Sequence, residues 1–171
     1  MNNMKRDWNN YIQSQKADEC QLVTALNIYY FLTGKIIVQN SNKYDNLMEL
    51  CGAIGGSCIH ICKVYERLGI KIIKYYKNDY RLEEDNIPLP LDASVYLYRK
   101  KYGFHSVAIV DYDKNTDSFR IPNWNKFTNN GWITFKEFNK LAFCYNKDGS
   151  INLRKGDIKY RLFKLKNNKY N

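Results

Sequence analysis

The sequence predicts an α+β fold, with helices first in the chain and most strands later, in a mainly antiparallel sheet. Three observations carry this. Residues 20–33, CQLVTALNIYYFLT, place Leu22, Ala25, Leu26, Tyr29 and Tyr30 near helical spacing and are followed by Gly34. Residues 70–76, IKIIKYY, and 93–99, ASVYLYR, are short runs rich in Ile, Val and Tyr, as strands are. Residues 104–112, FHSVAIVDY, and 118–122, SFRIP, flank the turn DKNTD and read as a hairpin.

The remaining elements follow in order. Residues 1–11 read as a polar N-terminal arm. The first helix has Asp18 and Glu19 at its start, where acids suit the dipole. A second short helix is predicted over 44–52. A third is predicted over 57–68, with Ser57 as N-cap and Gly69 as its end. The Pro-containing stretch at 86–92 reads as a loop. A short helix falls within 134–144, and 158–165, IKYRLFKL, reads as the last strand before a frayed tail at 166–171. No repeat or low-complexity linker divides the chain, so residues 1–171 are expected to form a single domain, long enough for a real hydrophobic core.

Composition narrows the class. No apolar run approaches the roughly 20 residues of a membrane span. The first residues, MNNMKRDWNNY, lack the apolar stretch of a signal peptide, so the expected setting is a cytoplasm or a particle assembled there. The five cysteines, Cys20, Cys51, Cys58, Cys62 and Cys144, are then expected to be free thiols. The formal net charge of +10 would favour an anionic partner, but no nucleic-acid-binding motif accompanies it. Cys58 and Cys62 share a face on the predicted helix while His60 points elsewhere, so no four-ligand zinc set is evident; neither metal nor cofactor is expected.

Three residues combine into a candidate site. Cys20 stands at the predicted N-terminus of the most apolar helix, where free backbone N–H groups and the dipole favour a thiolate, the nucleophilic form. His105 opens an apolar strand. In the predicted hairpin it faces about position 123 to 125, which puts Asn123 within reach of it. A carboxamide beside an imidazole can accept its N–H, fix the tautomer and aim the other nitrogen at a thiol.

The segment SQKADECQLVTALNIYYFLTG resembles the start of papain-like cysteine peptidases, with a glutamine shortly before a helix-capping cysteine. The segment GFHSVAIVDYDKNTDSFRIPNWNKFTNNGWITFKEF resembles their second half: a histidine begins a hydrophobic strand, and an Asn followed closely by Trp, here Asn123-Trp124, ends the next. The stretch GGSCIHICKVYERLGIKI and the short Cys-to-His distance are similar to the compact branch that removes double-glycine leaders. The resemblance spans roughly residues 12–143 and implies a papain-like fold with its helical N-terminal part packed on the sheet. It implies hydrolysis of a peptide or isopeptide bond through an acyl-enzyme, with Cys20 as nucleophile, His105 as base and Asn123 as its orienting residue. It implies an oxyanion hole of the Cys20 N–H and a glutamine side chain, for which Gln15 is the candidate. The family's usual spacing places that glutamine one residue earlier, at Ser14. The resemblance also implies that Trp124 covers the Asn–His pair. In the compact branch the third residue is commonly Asp, whereas Asn123 matches papain.

Two alternatives stand beside this reading. The segment HSVAIVDY with a later Asn-Trp also resembles the CHAP amidases that cut peptidoglycan, and a basic surface would suit an anionic wall. The other is a structural or interaction component of a virus or phage particle that uses the same fold with a weak or lost site. The partners are accordingly a polypeptide substrate or neighbouring protein subunits in an assembly.

Overall fold

The computed structural model describes residues 6–10, 19–54, 57–58, 60–76, 88–96, 104–124, 129–141, 144–145, 151–152 and 160–166. In chain order these hold helices α1 (Cys20–Thr33) and α2 (Asn42–Cys51), strands β1 (Ala53–Ile54) and β2 (Ser57–Cys58), and helix α3 (Ile61–Arg67). Strands β3 (Ile70–Tyr76), β4 (Leu91–Tyr96), β5 (Phe104–Ile109), β6 (Asp111–Asp113), β7 (Ser118–Arg120) and β8 (Trp132–Thr134) follow. Helix α4 (Phe135–Leu141) and strands β9 (Cys144–Tyr145), β10 (Ile151–Asn152) and β11 (Tyr160–Leu165) complete the order.

Helix α1 forms where the sequence predicts it. It ends because Gly34 adopts a left-handed conformation (φ 73°), donating its N–H to the Tyr30 carbonyl. Residues 22–30 of α1 are all buried, so it is a central helix with apolar contacts on every side rather than an amphipathic surface helix. The N-terminal arm is anchored to its far end. Trp8 is buried with its ring 5.1 Å from Tyr30, and Arg6 Nε donates to the Phe31 carbonyl at 3.1 Å. Helix α2 starts at a Ser41 N-cap whose hydroxyl accepts from Tyr44 N. Helix α4 is capped at its start by the Thr134 hydroxyl. Thr134 Oγ1 accepts from Glu137 N and donates to the Glu137 carboxylate.

The main sheet has the strand order β3-β11-β4-β5, with every neighbouring pair antiparallel. Strand β5 separates two cores. Ala108 and Val110 pack into the cluster built on Leu22, Val23, Leu26 and Ile28 of α1. Val107 and Ile109 alternate to the other face and pack with Phe119, Ile121, Ile133 and Phe138. A three-stranded antiparallel sheet, β6-β7-β8, closes that second core. This is the α+β architecture expected, with the helical part against a mainly antiparallel sheet.

Two boundaries differ from expectation. Ser57 is not a helix cap: it lies in β2, opposite Ile54, and α3 begins after His60. The loop expected through residue 92 ends sooner, because Leu91 and Asp92 are buried in β4. The cysteines are not all free thiols either. Cys20 and Cys62 are in no disulfide, but Cys51, fully buried at the end of α2, is disulfide-bonded. Among the described residues no helix is long and apolar enough to cross a membrane, and no group of three or more His, Cys, Asp or Glu side chains is gathered for a metal ion.

Candidate active site

Cys20 is the first residue of α1, a buried cysteine that is in no disulfide. Its N-cap is Glu19, whose carbonyl accepts from Val23 N and whose side chain makes no capping bond. Four residues on, Thr24 lies on the same face of α1, one turn below the thiol. Its side chain is completely buried.

His105 is the second residue of β5, paired with Val95 of β4. The predicted hairpin exists, but its ladder covers only 111–113 and 118–120, with Tyr112 opposite Phe119. Beyond it the chain leaves the strand: Ile121 N donates to the Gly131 carbonyl. Asn123 then returns to the edge of β5 that faces away from β4.

The contact made there differs from the one expected. The Asn123 carboxamide does not hold the imidazole. Its Oδ1 accepts from Ala108 N at 3.1 Å, and its Nδ2 donates to the Ser106 carbonyl at 3.0 Å and to Thr24 Oγ1 at 3.1 Å. The side-chain amide acts as a peptide group would, pairing one donor and one acceptor on the edge of β5. It is instead the main-chain carbonyl of Asn123 that meets His105 Nε2, at 2.8 Å.

That contact fixes the chemistry of the ring. A carbonyl oxygen only accepts, so Nε2 carries the proton and Nδ1 keeps the lone pair when the imidazole is neutral. Burial pushes the pKa of His105 below 6.5, and the bond to the Asn123 carbonyl opposes this only in part. The ring is therefore a neutral base at pH 7, with Nδ1 as its basic atom. Trp124 is buried beside it, with ring centroids 6.5 Å apart and planes 47° apart. A line of hydrogen bonds runs from α1 through Thr24 and Asn123 to His105. Gln15 lies outside the described residues.

Thr24 and Ser106 belong to this network and escape sequence reasoning. The available signal was a hydroxyl at position 24 inside an otherwise apolar helical stretch, LVTAL.

No protein-family model matches the sequence, and no curated protein matches it. Among solved structures, the chain is similar to the peptidase domain of Streptococcus ComA, a bi-functional ABC transporter involved in a quorum-sensing pathway. The TM-score is 0.60, and the match covers 88% of this chain and 96% of that one. The fold is papain-like. It is the compact form that the motifs around Cys20 and His105 led one to expect. At 12% identity the likeness is one of fold. Within that fold, the buried helix α1 begins with Cys20 and packs on strand β5, whose second residue is His105.

Proposed function

We propose that the chain is a papain-like cysteine peptidase or amidase that cleaves a peptide or isopeptide bond through Cys20, His105 and Asn123. Nδ1 of His105 takes the Cys20 thiol proton as the sulfur attacks the substrate carbonyl carbon. The tetrahedral adduct collapses, the C–N bond breaks, and the same proton passes to the leaving amine. Water, deprotonated by Nδ1, then hydrolyses the thioester and returns the thiol. The Cys20 N–H and the Gln15 side chain are the candidate oxyanion donors. Asn123 orients the base through its main-chain carbonyl.

The observation that supports this reading most is the buried line of hydrogen bonds from Thr24, one turn below Cys20, through Asn123 to a neutral His105. A second reading is an interaction module on the same fold whose site is weak or lost. Treatment with a peptidyl electrophile, followed by intact-mass and peptide mapping, separates the two. The peptidase reading expects one adduct, on Cys20, which is lost in Cys20→Ala. An unmodified native chain under conditions that label a papain control selects the interaction module.

A further inference from the structure

We infer that Thr24 is a positioning residue for the base, acting through Asn123; this rests on the peptidase reading above. Three bonds clamp the Asn123 carboxamide. Two of them, to Ser106 and Ala108, tie it to β5, the strand that carries His105 itself. Only the third, from Nδ2 to Thr24 Oγ1, ties it to α1. The carbonyl that holds Nε2 belongs to the same residue. Thr24 therefore couples the position of that carbonyl to the helix that presents the candidate nucleophile. All the groups are buried, Thr24 and Asn123 to within a few per cent of completely, so water does not replace a lost partner cheaply. In this arrangement the imidazole is aimed by a neutral peptide carbonyl whose direction depends on a hydroxyl one turn below the sulfur.

Thr24→Val removes the acceptor while keeping the shape, and Thr24→Ser keeps the acceptor. Two readouts are compared in the full chain. The first is the His105 Nε2–H proton observed by 15N-edited NMR, with its rate of exchange with water. The second is the rate at which iodoacetamide alkylates Cys20. In Thr24→Val the Nε2–H proton is expected to exchange at least tenfold faster and Cys20 to react about tenfold more slowly, equivalent to about 1.4 kcal/mol. Thr24→Ser is expected to restore both to within about threefold of native. Should Thr24→Val not fold, Thr24→Ala reads the same loss. An unchanged Nε2–H exchange rate in a folded Thr24→Val or Thr24→Ala chain overturns the inference, as does a Thr24→Ser chain that behaves like Thr24→Val. The NMR signal does not depend on thiol reactivity. A native chain with a sluggish Cys20 therefore counts against the peptidase reading, while the Nε2–H comparison still decides the role of Thr24.

Discussion

Replacing Asn123 by Asp separates the two ways in which this residue can serve a histidine. If the side chain accepted the imidazole N–H, a carboxylate would do so at least as well. In the arrangement found here it cannot take over the amide's contacts. Oδ1 can still accept from Ala108 N, and the Thr24 hydroxyl can turn to donate to the carboxylate. The Ser106 carbonyl has no such recourse: the Nδ2 donor now 3.0 Å away becomes an oxygen. A buried carbonyl left unpaired costs about 1–3 kcal/mol, and a buried charge facing it adds to that. We expect Asn123→Asp to lose about 2–4 kcal/mol at pH 7, read by urea unfolding, or roughly 5–15 °C in Tm for a chain of this size. Burial without a cation raises the new carboxyl's pKa, and the protonated form can donate to Ser106. The deficit should therefore shrink as the pH falls from 7 to 5. An Asn123→Asp chain as stable as native, with Cys20 alkylated as fast or faster, would refute the clamp and return the orienting role to the side chain.

Two further outcomes follow from the same packing and electrostatics. Phe119 is fully buried, with Tyr112, Phe135 and Phe138 rings 5.4–5.6 Å away; Phe119→Ala should cost about 3–5 kcal/mol in urea unfolding, and a loss below about 1 kcal/mol would mean the second core is not built around it. His105 has a pKa below 6.5 in the folded chain, so the unfolded chain binds the proton first and stability should fall as the pH drops from about 6.5 through the folded value. The difference in unfolding free energy between native and His105→Asn isolates that slope, and a flat difference across this window contradicts a buried neutral imidazole.

Much of this fold was legible locally. The apolar block 20–33 with Gly34 behind it, and the run IKIIKYY, carry their own start and stop signals, and both elements form as read. The misread boundaries share a cause. Ser57 has the chemistry of a cap, but backbone pairing with Ile54 outweighs it. Asp92 has the chemistry of a loop residue, yet it is buried in β4 and accepts from the Tyr65 hydroxyl, 27 residues away. The site shows the same limit. Hairpin spacing suggested that Asn123 lies near His105, but the ladder stops at Arg120 and the contact is made by the Asn123 main-chain carbonyl. That its carboxamide is taken by Thr24 was not visible, because the partner lies 99 residues away on a helix whose facing side is decided by tertiary packing.

The proposed pairing of sulfur and imidazole is tested most directly by the pH profile of alkylation at Cys20, with the exposed free thiol of Cys62 as an internal reference in the same chain. Near neutral pH, Cys20 should react at least tenfold faster than Cys62 despite its burial, and His105→Ala should abolish that advantage. A Cys20 that reacts no faster than Cys62, or one whose rate is indifferent to His105, would contradict it.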